Sequence, residues 1–530
     1  MIASSFRSHW PDIELPEVAL PEFVLHRAAE LGDKPAIIDA VDGRGYTYAE
    51  LLAAVRSQAA GLSERGVGTG DVVALLLPNV PEYPVIFHGA LLAGAATTTL
   101  NPLYREAEIA HQLADSGARV LFTVAEHAEK AAAAARGDGV GVREIVVIDD
   151  PDAPLRLDDV FSDAPPPEIE IMPGQAIAAL PYSSGTTGLP KGVMLSHRNL
   201  AANVLQTHAS QAVGKADVVL AVLPFFHIYG MTVTMNYCLW AGATIVSSRR
   251  FDADALPATL QDYGITRLYA VPPIILGLAK REDLDRYDLS RLRGVLSGAA
   301  PLDADTAELC ASRIGCRVTQ GYGMTELSPC THLTPPDDPA VPPASIGPAL
   351  PSTECKIVNP VSGEPVGVGH AGELCVRGPQ VMLGYLGNDD ATRSMIDDDG
   401  FLHTGDLARV DESGCYYVLD RLKELIKFKG FQIAPAELEA VLVGHGSVID
   451  AAVIGVPDPD AGEVPKALVV TNRPMTEAEI LAYVAERVAP HKRVRVIEFV
   501  DAIPKSPSGK LLRRQLRERE REGRLRQLPA

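Results

Sequence analysis

The chain has 530 residues, too many for one ordinary hydrophobic core, so more than one domain is expected. Hydrophobic residues make up 47% and charged residues 22%, which excludes a disordered or low-complexity chain. A net charge of −20 argues against a nucleic-acid partner, because phosphate contacts need a basic face, but leaves room for a single nucleotide held by a few local cations.

From the N-terminus, Met1 to Pro11 lacks the apolar stretch of a secretory signal. Thr47-Tyr-Ala-Glu50 has the spacing of a capping box and predicts a helix start. Short apolar runs at 72–77, 120–124 and 145–149 read as strands, and they alternate with helical patterns. Residues 84–100 are apolar but carry His88, Gly89, Gly94 and three threonines, which predicts a buried helix broken near Gly94 and then a strand. The uncharged run 218–248 is long enough for a bilayer. Pro224, His227, Gly230, Asn236 and Gly242 interrupt it, so a buried strand, loop and helix are expected instead, with no membrane span. Ala131–Ala135 sits in a helical pattern, and Asp163–Pro167 reads as a surface connection. The alternation predicts an α/β fold with largely parallel sheets flanked by helices.

After about Asp420 the pattern changes. A lysine-dense stretch leads to a helix from about Pro435, strands at 451–456 and 467–470, and a helix opening with Thr476-Glu-Ala-Glu479. A strand at 494–500 and a basic helix after Lys510 follow, and the tail 511–526 reads as a solvated helix. The expected division is a large α/β N-terminal domain, residues 1–420, and a small mobile α+β domain, residues 421–530. Seven cysteines without CxxC spacing read as reduced, buried thiols of a cytoplasmic protein.

The strongest chemical signal is Tyr182-Ser-Ser-Gly-Thr-Thr-Gly-Leu-Pro-Lys-Gly192, in which an apolar strand at 176–180 runs into small and hydroxylated residues with one lysine. Glycines let backbone amides approach a polyphosphate, hydroxyls donate, and Lys191 brings charge. It is not a Walker A loop: Pro190 stands where that motif needs a glycine, and residues 191–195 continue as a strand. An ordinary Gly/Ser/Thr loop is the bland alternative. Further segments are Gly321-Tyr-Gly-Met-Thr-Glu326, Thr404-Gly-Asp406, Asp420-Arg-Leu-Lys-Glu-Leu-Ile-Lys427 and Pro504-Lys-Ser-Pro-Ser-Gly-Lys510. Singly, these could be a solvated loop acid, a turn, a charged face and a surface lysine.

Together and in this order they resemble the adenylate-forming superfamily of acyl-CoA synthetases, adenylation domains and luciferases. The resemblance to 4-coumarate–CoA ligases is carried by Pro224-Phe-Phe-His-Ile-Tyr-Gly230 and by residues 427–438. It implies an AMP-forming acid–CoA ligase: a carboxylic acid reacts with ATP to an acyl-adenylate, and coenzyme A then takes the acyl group. Ser183, Ser184, Gly185, Thr186, Thr187 and Lys191 are implied to hold phosphates, Thr325 the α-phosphate, and Glu326 a Mg²⁺ ion. Gly321 and Tyr322 are implied to line the adenine, and Gln320 to belong to the ATP- and AMP-binding set. Asp406 would accept from the ribose hydroxyls beside Arg421.

The resemblance further makes Lys510 the catalytic lysine of adenylation and Lys423 the hinge, with Lys427 and Gln432 contacting nucleotide or CoA. Arg250, Lys429 and Gly430 fall at CoA positions; for Lys429 a charged hinge face is a serious rival reading. His227 is implied to gate the CoA tunnel, while Tyr229, Gly298, Ala299, Gly321, Pro329 and Cys330 line the acyl pocket. Plant ligases have Ala-Gly-Pro-Val after the Thr-Glu; here Leu327-Ser-Pro-Cys330 stands instead. That departure leaves the choice of cinnamate, benzoate or fatty acid open at the ring-binding end. Residues 225–230 with the Gly298-Ala299 wall resemble pockets for flat aryl-propenoic acids, so cinnamate or 4-coumarate is expected, with a medium- or long-chain fatty acid as the alternative. A luciferase-like oxygenase, a carrier-loading enzyme and a silent acyl-nucleotide sensor are lesser readings. Lys510, expected on an exposed, mobile loop, is also a candidate for a lysine acetyltransferase and deacetylase.

Overall fold

The computed structural model describes residues 5–183, 190–429, 431–459, 461–506 and 509–523, without the side chains of Phe431 and Gln432. Three sheets take up the chain as far as Arg421, and a fourth takes up the rest.

In the first sheet, strands 177–179, 96–99, 72–76, 118–123 and 144–147 run parallel, and 191–196 adds antiparallel beside 177–179. Val72–Leu76 is apolar and buried at every position, as a strand covered by helices on both faces must be. Helix Tyr48–Glu64 begins at Thr47, whose side chain accepts from the Glu50 amide while Glu50 reaches back, completing the expected capping box. Helix Glu82–Leu92 is buried nearly all round. The run that leads through Gly94 into strand Ala96–Thr99 is thus a core helix followed by a strand. Among the described residues no helix is long and apolar enough to cross a membrane.

The second sheet runs parallel through strands 318–323, 294–297, 267–270, 218–221, 244–247 and 35–39, with an antiparallel strand at each edge. Residues 218–248 resolve into strand 218–221, a π-helical turn Gly230–Asn236, a short helix and strand 244–247. The third sheet departs from the parallel expectation. Strands 6–7, 354–358, 372–377, 402–410 and 416–421 are all antiparallel. Strand Leu402–Val410 alternates buried and half-buried positions, the pattern of a sheet with one covered face, so neighbours can join by hairpins.

The fourth sheet carries core on both faces. Ile426, Leu438, Leu442, Val453, Ala467 and Ile480 pack on one side, and Ile454, Leu468, Ile503 and Leu516 on the other. That second cluster corrects the reading of the tail as a solvated helix. Arg513–Arg521 buries Leu516 completely, pairs Arg513 with Glu439, and joins Lys466 to Glu520 at 2.6 Å. One apolar residue in a run of arginines and glutamates is a weak periodic signal, yet it seals a sheet face. The described cysteines form no disulfide, and six of the seven are buried.

Candidate functional site

The site collects where the first, second and third sheets meet the fourth. Asp406 lies on strand 402–410 in register with Arg421 on the next strand. Its Oδ1 is 3.3 Å from Arg421 Nε, and its Oδ2 accepts from Tyr322 OH at 2.6 Å. Burial, with Asp406 beside it, holds the Tyr322 phenol far above its ordinary pKa, so it stays a donor. The turn before Asp406 is braced: Glu373 Oε1 accepts from the Gly405 amide at 3.0 Å, and Thr404 Oγ1 donates to Leu374 O at 2.7 Å.

Glu326 follows strand 318–323 in the turn Thr325–Leu327 and is buried. Its Oε1 accepts from Ser183 Oγ at 2.9 Å and from Tyr385 OH at 2.8 Å. Lys191 Nζ lies 4.9 Å from the Tyr385 ring centroid, within reach of a cation–π contact. Tyr385 thus ties Lys191 to Glu326, a role that reading the sequence did not supply; no motif marks Gly384-Tyr385. Ser184, Gly185, Thr186, Thr187, Gly430 and Ser508 lie outside the described residues, as does the Gln432 side chain. A hard-oxygen cation fits the buried Glu326 carboxylate, which accepts from two hydroxyls on Oε1; Glu326 would hold Mg²⁺, which neutralises polyphosphate charge when bound.

Lys510 arrives from the small domain. Gly509 has φ +76, and a Cβ there would stand 3.1 Å from Val271 Cγ2, so only glycine fits against the large domain at this point. Lys280 Nζ adds a bond to Val448 O at 3.2 Å across the same junction. The Lys510 ammonium is pushed down to about 8, chiefly by burial and then by Arg421, against the opposing pull of Asp406, Glu326 and Glu424. Lys510 is half-buried rather than exposed as expected, with Gly509 beside it seated against Val271 and Pro273 of the large domain.

His227 is driven down to about 4, by burial first and the Lys510 charge second. Its Nδ1 lies 3.3 Å from the Tyr229 amide, which donates to it, so the neutral ring carries its proton on Nε2. Tyr229 is buried, donates to Leu296 O at 3.3 Å and lies against Gly298, where a Cβ would come within 2.8 Å of the ring. Ala299 is exposed with φ +69. Pro329 and Cys330 are buried, the latter held through both backbone groups by Asn203, with Nδ2 to O at 2.7 Å and N to Oδ1 at 3.1 Å.

Other expected residues lie differently. The Gln320 side chain is occupied by Leu302 and Pro343, with Nε2 donating to both carbonyls and Oε1 accepting from the Leu302 amide. Gly321 packs against Leu333 and the His332 carbonyl. Arg250 is exposed and paired with Glu126, away from the Asp406 cluster. Lys423, Lys427 and Lys429 are exposed, Lys429 with φ +47. The chain leaves the third sheet at Arg421 and enters the fourth at Ile426, with Lys423 between.

The arrangement can hold an anionic nucleotide: an acceptor pair for vicinal hydroxyls, cations beside a polyphosphate path, and a lysine delivered by a second domain. Comparisons agree with it. The AMP-binding enzyme family matches residues 24–386, and the AMP-binding enzyme C-terminal domain matches residues 437–510. A curated 4-coumarate–CoA ligase 3 from Oryza sativa subsp. japonica is 44% identical, covering 97% of this chain and 94% of that protein. An anthranilate CoA ligase, AuaEII, in complex with anthranoyl-AMP superimposes with TM-score 0.88 at 27% identity, over 95% of this chain and 98% of that one. ATP-bound MatB from Rhodopseudomonas palustris gives TM-score 0.85 at 31% identity, over 96% and 100%. By its sequence, its two-part architecture and the site between the parts, this chain belongs to the AMP-binding, adenylate-forming enzyme family.

Proposed function

We propose that the chain is an ATP-dependent, AMP-forming acid–CoA ligase acting on aryl-propenoic acids of the cinnamate and 4-coumarate class. The observation that carries this is the convergence of Lys510 from the small domain on Asp406, Arg421 and Glu326 of the large one. In the first step a carboxylate oxygen of the acid attacks the α-phosphorus of ATP and the bond to pyrophosphate breaks. Lys510 lies between the two anions and neutralises charge as the adenylate forms, with Thr325 at the α-phosphate and Lys191 beside the departing pyrophosphate. Asp406 accepts from the ribose hydroxyls, and Tyr322 and Arg421 hold that carboxylate in place. In the second step the CoA sulfur attacks the acyl carbonyl and AMP leaves. The small domain turns about Lys423 between the steps, bringing Lys429 and Gly430 to the pantetheine path, while neutral His227 stands at the tunnel mouth and Arg250 meets the CoA phosphates. The Tyr229 ring supports a flat substrate, since aromatic pairs contribute ~0.5–1.5 kcal/mol beyond burial.

The reading extends to a cytoplasmic location, supported by the unpaired cysteines, and to control by acetylation of Lys510. Lys510 is half-buried in this arrangement, so separation of the domains would give an acetyltransferase fuller access to it. Pyrophosphate release from ATP with cinnamate, 4-coumarate, benzoate, octanoate and acetate, with and without CoA, tests the proposal. Release with the cinnamates, and thioester only when CoA is present, is expected. Octanoate preferred by more than about tenfold, ~1.4 kcal/mol, overturns the aryl assignment. Absence of thioester with every acid overturns the ligase assignment.

A further inference from the structure

The third sheet carries a set of donors that adenylation does not use. Glu373 and Cys375 are two residues apart on strand 372–377, so their side chains share one face, and His403 on the next strand is the register partner of Cys375. One ligand atom from each of the three lies within 4.8 Å of the other two. His403 Nδ1 is 3.0 Å from Glu373 Oε2 and 3.4 Å from Cys375 Sγ. A carboxylate and a thiol thus converge on one ring nitrogen, which has a single proton to share between them, whereas one ion at that point satisfies all three groups. A tetrahedral ion with bonds of about 2.3 Å to sulfur and 2.0 Å to nitrogen and oxygen sets sulfur and nitrogen ~3.5 Å apart and nitrogen and oxygen ~3.3 Å apart. The nitrogen already stands at close to that spacing from both the oxygen and the sulfur.

The surroundings match those of a metal-bound imidazole. His403 Nε2 is 3.3 Å from Asp397 Oδ2, and Asp397 is fixed by Lys356 Nζ at 2.7 Å. A carboxylate on the far nitrogen is the partner that orients a ligating histidine. Lys356 is the register partner of Cys375 on the other side, but its ammonium is turned onto Asp397 and the Phe401 ring, 4.2 Å from the centroid. Cys375 is buried while the His403 side chain keeps 33% of its surface, so the fourth position opens towards solvent.

We propose that Glu373, Cys375 and His403 form a site for a thiophilic divalent cation of the zinc class, with water as the fourth ligand and Asp397 orienting His403. It is separate from the Mg²⁺ position at Glu326, whose all-oxygen chemistry suits a hard ion. Its other connection runs through Glu373, whose second carboxylate oxygen accepts from Gly405 beside Asp406, so an ion here stiffens the turn that presents Asp406.

The test uses the full-length protein, stripped with a chelator and titrated with Zn²⁺ against a chromophoric chelator. About one equivalent is expected to bind, with the thermal midpoint rising on binding. Cys375→Ser and His403→Asn are each expected to weaken Zn²⁺ by ~10–100-fold. Co²⁺ should give a sulfur-to-metal charge-transfer band that Cys375→Ser abolishes and the control Cys316→Ser keeps. Should Cys375→Ser fail to fold, judged by circular dichroism without metal, His403→Asn and Glu373→Gln carry the affinity comparison, and the parent's band against Cys316→Ser carries the spectroscopic one. No Zn²⁺ bound by the parent protein, affinity unchanged in the variants, or a band that survives Cys375→Ser, overturns the site.

Discussion

Replacing Lys510 by methionine keeps the length and apolar stem of the side chain and removes only the charge. At neutral pH that charge is held against its surroundings. The fall of the ammonium from 10.5 to about 8 corresponds to about 3 kcal/mol opposing a protonated lysine in the closed site. The penalty is full below pH 8, fades between about 8 and 10.5 as the closed form sheds its proton first, and is gone above that. Lys510→Met therefore removes an unfavourable burial, and its thermal midpoint at pH 7 should be no lower than that of the parent. Adenylation should nevertheless fall by ~10²–10³-fold, the usual worth of a positioned charge at a developing anion. Thioester formation from a pre-made acyl-adenylate should change only a few-fold, because that step does not need the lysine. ATP–pyrophosphate exchange, single-turnover thioester formation and a melting curve give the three readings. A variant that loses both half-reactions equally, or that melts well below the parent, refutes the assignment of Lys510 as the adenylation charge.

The same lysine predicts a pH limb: kcat/KM for adenylation should decline above about pH 8, where Lys510 becomes neutral in the free enzyme. Lys510→Arg should move that limb upward, and a limb unmoved by arginine assigns it to another group. Tyr322→Phe removes the 2.6 Å bond to Asp406 and should raise KM for ATP about tenfold, ~1.4 kcal/mol, with kcat nearly kept; a kcat effect of the same size contradicts a ribose-side role. Gly298→Ala places a methyl 2.8 Å from Tyr229, so the ring must yield into the acyl space. Its kcat/KM should fall about tenfold for cinnamate but little for acetate, and equal losses would place the defect outside the pocket.

What could be read beforehand follows from what is local. The Thr47 and Thr476 capping boxes, strand 72–76 and the helix–strand passage through Gly94 are set by neighbouring residues, and they stand where the spacing put them. Asp406 and Arg421 were legible as separate motif residues, and antiparallel register then places them opposite one another. Long-range partners left no such trace. Tyr385 reaches Glu326 across 59 residues, and Asn203 reaches Cys330 across 127. Neither tyrosine nor asparagine in an apolar neighbourhood announces which backbone or carboxylate it will meet. Gln320 adjoins a nucleotide motif, but the partners of its side-chain amide, Leu302 and Pro343, are equally long-range and equally unmarked in the sequence. The half-buried Lys510 likewise belongs to the meeting of two domains, which no stretch of sequence contains.

That meeting also bears on how one site serves two reactions. Asp420, last but one in strand 416–421, accepts from the Ala436 amide at 3.0 Å, at the start of the helix Pro435–Val443 in the small domain. A carboxylate at a helix start is favourable by ~0.3–1 kcal/mol, and Lys280 adds its bond to Val448. Together they offset only part of the burial penalty of about 3 kcal/mol on Lys510, so in the proposed scheme the balance between the closed and open arrangements responds to ligands. In that scheme ATP would tip it towards closure, because its phosphates would supply negative charge beside Lys510. Departure of pyrophosphate removes most of that charge, leaves the ammonium penalised again and favours opening for CoA. Ligands shift such an equilibrium only by their differential affinity for the two states. Scattering should therefore report a smaller radius of gyration with a non-hydrolysable ATP analogue than with AMP. The difference should shrink in Lys510→Met, whose closed state no longer depends on phosphate charge. Identical radii with both nucleotides, or an undiminished difference in Lys510→Met, would show that product charge does not drive the rotation.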